Sequence, residues 1–237
     1  MVFDQSEYNV RCEWGEQGIV ALASNSDVVI IVDVLSFTTA VEIAANQGAV
    51  VFPYRWKDET AYDFANSVEA EVADKNSVNN YSLSPTSLVK LPFGVRLVLP
   101  SPNGSTLSLL TGSKPTIAGC LRNCRAVAQS AMNKGQNIAV IPAGERWTDD
   151  TLRPCFEDLL GAGAIISHLR GTFSPEATVA VSVFNSLSKD IYNQLKSCIS
   201  GKEKRHRAEE NDVKLAAELN VSNCVPVLQN GAFVKEV

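Results

Sequence analysis

Two periods of apolar and polar residues alternate along the chain, and they give the first outline of the fold. Tyr8, Val10 and Cys12 are separated by polar neighbours, the period-two pattern of a half-buried strand. Positions 28–32 (VVIIV) form a continuous β-branched run, as in a strand covered on both faces. Residues 36–47 switch to helical spacing through Phe37, Val41, Ala44 and Ala45, with Gly48 as a stop signal. Residues 49–52 return to a buried strand, closed by Pro53. A strand, a helix and a second strand in about 25 residues predict a parallel pair joined by a right-handed crossover.

The alternation continues to the end of the chain. Residues 61–68 are predicted helical, and 70–91 read as a long polar loop that either covers or serves a site. Strands are expected at 95–99, 116–118, 138–141 and 225–228, and helices at 105–110, 123–133, 152–169 and 209–219. Gly161, Ala162, Gly163 and Ala164 in the longest of these helices predict close approach to other backbone. The stretch 173–195 is apolar and helical with a break near 185–186. No composition shift or flexible linker divides the chain, so one domain over 1–237 is expected. Strands alternating with helices predict an α/β fold, a three-layer α/β/α sandwich around a largely parallel or mixed central sheet. Ligands of such sheets bind beyond the carboxyl ends of the strands, so residues that follow strands are the candidates for chemistry.

Composition narrows the function. Of 237 residues, 45% are hydrophobic and 20% charged, enough apolar material for a sizeable core. A formal net charge of -5 gives no general attraction to nucleic acid or anionic membranes, so neither is an expected partner, and a homo-oligomer stays open. The start of the chain lacks a basic segment followed by an apolar one, and the longest apolar runs, such as 162–166, are far short of a membrane span. A cytoplasmic protein is the expectation. The six cysteines form no CxxC pair and only two histidines are present, which argues against structural zinc and for reduced, mostly buried thiols.

Several residues stand directly after predicted strands. Asp33 ends the run VVIIVD, where a carboxylate suits a metal ligand or a nucleophile, or alternatively caps the next helix. Asn103, Gly104 and Ser105 open a helix after the strand at 95–99. Free N–H groups there favour an anion, although Asn, Gly and Ser are also ordinary turn residues. Arg122 and Asn123 repeat the theme after 116–118. A guanidinium at a helix entrance makes electrostatic sense beside a bound anion; the alternative is a surface arginine. Gly144 follows the strand at 138–141, and Glu157 and Asp158 lie on the next helix, either as metal ligands with Asp33 or as acids complementing the helix dipole. The basic run KEKRHR at 202–207 reads as a solvated loop, or as one that closes over an anionic substrate. No GxSxG, Walker A, HExxH or GxGxxG motif is present.

Taken in order, the segments VVIIVDVLSFTTAVEIAANQGA, YSLSP, LPSPNGSTL, AGCLRNCRAVA, VIPAGERW, FEDLLGAGAII and DVKLAAELNVSNCVPVL resemble the 2-phosphosulfolactate phosphatase (ComB-like) family over nearly the whole chain. The resemblance implies an α/β enzyme that needs Mg2+ and hydrolyses the phosphate ester of 2-phospho-3-sulfolactate to sulfolactate, a step toward coenzyme M. It also implies a small phosphorylated, sulfonated substrate. Carried over to this sequence, it assigns Asp33 and Arg122 to catalysis, and Asp33, Glu157 and Asp158 to the metal. Thr38, Thr39, Asn103, Gly104, Ser105, Asn123 and Gly144 would bind substrate. Ser36 and Phe37 stand where the family usually carries Arg followed by hydroxyl residues, and Leu83 stands in place of Asn before Ser84 and Pro85.

Overall fold

The five β-branched residues of the central strand have no exposed surface, and their side chains divide by parity. Val28, Ile30 and Val32 enter one apolar cluster with Val127, Leu160 and Ala180; Val29 and Ile31 enter another with Ile19, Leu22 and Leu107. Successive strand residues point to opposite faces, so this one run needs helices on both sides. The computed structural model describes residues 2–76 and 79–236.

In chain order the strands are β1 (Val10–Cys12), β2 (Val28–Val32), β3 (Val50–Tyr54), β4 (Glu71–Val72), β5 (Arg96–Pro100), β6 (Thr116–Gly119), β7 (Ile138–Pro142), β8 (Glu145–Arg146), β9 (Leu152–Arg153), β10 (Pro226–Gln229) and β11 (Ala232–Lys235). The helices are α1 (Gly15–Leu22), α2 (Phe37–Asn46), α3 (Thr60–Ser67), α4 (Pro85–Leu88), α5 (Gly104–Leu110), α6 (Cys124–Lys134), α7 (Phe156–Ile166), α8 (Pro175–Leu187), α9 (Ile191–Ser197), α10 (Ile199–His206) and α11 (Glu210–Ala216). Among the described residues one large sheet has the order β1-β7-β2-β6-β10-β11-β3-β5-β4, and β8 pairs β9 in a separate ribbon. The fold is α/β around a mixed sheet.

Strand direction overturns the expected parallel pairing of the strands at 28–32 and 49–52, since β2 pairs β6 and β7 while β3 pairs β5 and β11, and it refines the expectation of a largely parallel sheet. β1, β7, β2 and β6 are parallel neighbours, and so are β3, β5 and β4. Between these blocks stands the hairpin β10–β11, antiparallel within itself and to both flanking strands. Three antiparallel junctions in succession set the two blocks running in opposite directions. Twist of roughly 20–25° per strand accumulates over the steps from β2 to β5. It swings the end of β5 back toward the end of β2, where the loops meet.

Several boundaries differ from expectation. The helix expected over 152–169 starts at Phe156, because Pro154 keeps Arg153 extended and the pair Leu152–Arg153 forms β9. The polar stretch 70–91 holds the edge strand β4 and the turn of helix α4, and residues 77 and 78 of it lie outside the described residues. The basic run at 202–207 is helical through His206.

In α7 Gly163 meets backbone, as its size predicts, and Gly161 meets side chains. A Cβ on Gly163 would come 2.0 Å from the carbonyl oxygen of Ala180 in α8, and one on Gly161 would come 2.6 Å from Val34. Gly163→Ala is therefore expected to separate α7 from α8 and lower unfolding free energy by about 1–3 kcal/mol, read as a lower urea midpoint at unchanged slope.

Candidate active site

Two aspartates hold the loops together where the strands end. Asp33 follows β2, and its carboxylate accepts the N–H of Phe37 at 3.2 Å on Oδ1 and the N–H of Gly104 at 3.0 Å on Oδ2. The cap and the site reading of Asp33 thus coincide, since it satisfies the first residue of α2 while reaching across to α5. Gly104 must be glycine for this contact: a Cβ would stand 2.2 Å from the Phe37 ring and 2.7 Å from Asp33 Oδ2. Asp158, in the first turn of α7, accepts the N–H of Val34 at 2.8 Å and of Gly144 at 2.9 Å. Three loops, after β2, β5 and β7, are fastened by two buried carboxylates.

Glu145 and Glu157 complete an acidic group. Asn103 Nδ2 donates to Glu145 Oε1 at 2.6 Å, which ties the turn before α5 to β8. Burial pushes the Asp33 carboxyl up to about 6; the Phe37 and Gly104 N–H groups pull against this, and the charges of Glu145 and Glu157 add to it. Burial, then the charges of Asp33 and Glu157, raise Asp158 well above the usual carboxylate range. No lysine or arginine forms an ion pair with any of these four acids among the described residues. Nor, among the described residues, are three His, Cys, Asp or Glu side chains gathered into a ready-made metal cage. The expected ligands Asp33, Glu157 and Asp158 act on one another through their fields.

Positive charge faces this group from Lys57, which the sequence pattern did not single out. Lys57, just beyond β3, stands in an open groove whose walls desolvate its ammonium and lower its pKa, while Glu145 and Asp33 pull the other way. Lys204 and Arg207, from the basic run, lie close enough to oppose its charge. Lys204 is committed to Glu209 and Asp212 at 3.0 and 2.9 Å. Asp212 also accepts hydrogen bonds from the hydroxyls of Ser84 and Thr86, so the YSLSP and DVKLAAEL segments meet at this one carboxylate. Lys57 carries no helical or strand periodicity; its position after a strand is the one signal that marks it.

The structure places the remaining candidates elsewhere than expected. Thr38 donates its hydroxyl to Asp33 O and accepts from Asp33 N, and Thr39 donates to Val34 O; both are fully buried. Ser105 donates to Leu99 O, and Asn123 bonds Cys120 N and Cys224 O, also without exposure. These four side chains shape the loops from within and present no free group to a ligand. Arg122 follows β6, but its guanidinium is paired with Glu42 at 2.6 Å and with Glu218, and donates to Leu215 O. Its neighbours are thus α2 and the end of α11, not the acidic group. Among the described residues two hydroxyls are buried without a partner, Ser36 Oγ and Thr106 Oγ1.

Clefts open beside the acids. One of about 190 Å3 is lined by Trp14, Glu16, Asn103, Glu145 and Arg146, and another of about 350 Å3 by Arg153, Phe156, Glu157 and Cys198. A depression of about 570 Å3 lies at the start of β6 and the hairpin turn, the opposite end from Asn123. It has no acid in its lining, and its lysines are occupied, Lys114 by Ser24 O and Ser26 O and Lys134 by Glu236.

Comparison with known proteins gives a family. The family model described as 2-phosphosulpholactate phosphatase matches residues 18–231. The 2-phosphosulfolactate phosphatase of Methanothermobacter thermautotrophicus is 25% identical over 215 residues, 87% of this chain and 88% of its own. A protein of Carboxydothermus hydrogenoformans with the printed name "Probable 2-phosphosulfolactate phosphatase" is 27% identical over 229 residues, 88% of this chain and 90% of its own. One of the same printed name from Caldanaerobacter subterraneus is 25% identical, covering 86% and 88%.

Two outcomes follow from the electrostatics. Asp33 titrates at about 6 in the folded chain against an ordinary 3.8, so the unfolded chain loses this proton first as pH rises. The folded state is then penalised progressively between those values, by about 3 kcal/mol once pH exceeds both. Without divalent cations, the stability difference between Asp33→Asn and the parent should shift in the variant's favour between pH 4 and 7, measured by urea unfolding at each pH. Arg122→Gln strips the buried Glu42 of its partner and should cost about 3 kcal/mol of stability. The same unfolding assay checks it.

Proposed function

This chain belongs to the 2-phosphosulpholactate phosphatase family, and we propose that it is a phosphoric monoester hydrolase that converts 2-phospho-3-sulfolactate to sulfolactate and phosphate. The observation that carries the reading is the group of four acids without ion-pair partners among the described residues, facing Lys57 at the meeting point of the loops. Such a group is costly unless a cation joins it. The finer features of the reading are Mg2+ dependence, a place on the route to coenzyme M, and a site on the rim of a three-layer sandwich.

The donor set fits Mg2+. This ion keeps several waters and takes one or two carboxylates together with substrate phosphate, so a ready-made cage of three side chains is not required. Asp33 and Glu157 are the carboxylates that would hold it, with Asp158 beside them. When bound, Mg2+ neutralises charge on the phosphoryl oxygens and polarises the phosphorus. The chain's own residues do the positioning. The N–H groups of Phe37 and Gly104 fix both oxygens of Asp33, so its lone pairs keep one direction through the reaction. Asp158 holds Val34 and Gly144 and thereby the two loops on either side of the phosphoryl group. Lys57 supplies positive charge opposite the acids, where a phosphate dianion has to sit.

Ser36 favours a second reading, in which the substrate is another small phosphorylated hydroxy acid. This residue replaces an arginine usual in the family, and its hydroxyl is buried with no partner. A panel of phosphate esters with and without a sulfonate separates the two.

Phosphate release from 2-phospho-3-sulfolactate is expected to require Mg2+ and to vanish in EDTA. Asp33→Asn should lower kcat at least about a hundredfold, and Lys57→Ala about tenfold or more. Arg122→Gln, after correction for the folded fraction, should change neither kcat nor KM. Release that continues unchanged in EDTA would remove the metal from the reading.

A further inference from the structure

The two most buried arginines of the chain are treated differently. Arg11, 1% exposed, donates to Asp4 O, Asn25 O and Ser26 Oγ. Arg153 is 7% exposed, and among the described residues no hydrogen bond or ion pair holds its guanidinium. Its contact is the face of Trp147, with Cζ 5.7 Å from the ring centroid. A guanidinium carries five donors, and those of Arg153, with no protein acceptor and not sealed from solvent, open into the cleft that the residue lines.

Its surroundings say what those donors meet. Arg153 lines the cleft of about 350 Å3 together with Phe156, Glu157, Gln194, Cys198 and Ile199. Glu157 joins this cleft to the acidic group, since its charge acts on Asp33. The ribbon pairing sets Arg153 opposite Glu145, another member of that group. The cleft and the proposed phosphoryl site are therefore neighbouring compartments of one region. Of the other cations, Lys204 is taken by Glu209 and Asp212, and Lys57 is assigned to the phosphoryl group. An anionic substrate tail beside four carboxylates needs a fixed cation of its own. The fork of a guanidinium matches the two oxygens of a carboxylate or sulfonate.

We propose that Arg153 is the anchor for the part of the substrate that is not cleaved: a carboxylate or sulfonate docks on its guanidinium in this cleft, with the phosphoryl group turned toward Asp33. The proposal rests on the phosphatase reading for the identity of the substrate, but the binding site stands on Arg153 and its cleft. Trp147 covers one face of the guanidinium and leaves its edge, where the N–H groups point, for the ligand.

The test uses the full chain with Mg2+ and three probes in calorimetry: isethionate as a sulfonate, lactate as a carboxylate, and inorganic phosphate. Arg153→Gln should weaken isethionate or lactate at least about tenfold and leave phosphate within about threefold. The probe that suffers the larger loss identifies the group that docks. Arg153→Lys keeps the charge without the fork and should fall between the two; it decides the question if the Gln variant does not fold. With 2-phospho-3-sulfolactate, the Gln variant should raise KM at least about tenfold and hold kcat within about threefold. Equal binding of both acids by parent and variant, no binding of either acid by the parent, or a tenfold loss confined to phosphate overturns the proposal. If the parent releases no phosphate from any ester, the phosphatase reading falls, and the two acid probes still decide Arg153.

Discussion

Two carboxylates, each shared between backbone N–H groups of separate loops, set the geometry on which the rest of this region depends. Asp33 joins the start of α2 to the start of α5, and Asp158 joins the loop after β2 to the loop after β7. Charge-assisted hydrogen bonds of this kind are roughly twice as strong as neutral ones. Each aspartate also brings a negative charge into a buried place. The same atoms that lock the loops thus create the repulsion that raises both carboxyls. Loop order and appetite for positive charge are one property of this arrangement.

Pairing, not residue type, separates structural from ligand-facing cations here. Arg122 stands at a helix entrance after a strand, where an anion-binding arginine is expected, yet Glu42 and Glu218 occupy it. Glu42 comes from the middle of α2 and has no exposed surface, so it can only be there with a partner. Arg153 stands in a short ribbon with no such partner. An arginine's role follows from the acids that the fold brings to it, and those come from distant parts of the chain.

That is also why the sequence was informative to different depths. The buried run 28–32, the helix after it and the strand near 50 are local patterns, and all three stand where periodicity put them. So does the close approach signalled by Gly163. The hairpin β10–β11 was only half read, although Asn230–Gly231 with positive φ at both residues is a strong turn signal. Arg153 was hidden in an expected helix that ran through Pro154, a residue that argues for extended backbone before it. Thr38, Thr39, Ser105 and Asn123 look like ligand donors in one dimension. Their acceptors, Asp33 O, Val34 O, Leu99 O and Cys224 O, are fixed only by the turn geometry and the sheet.

The hairpin has an implication for how the molecule is made. β10 and β11 leave the ribosome after every other strand of the sheet, yet they occupy its middle, with one register pair to β6 through Val227 and Ile117 and one to β3 through Phe233 and Val51. Until they emerge, the two parallel blocks are separate half-sheets with bare edges at β6 and β3. Nascent chains at that stage expose ladders that a neighbouring polypeptide can pair with, and closure of the seam by the final hairpin withdraws them.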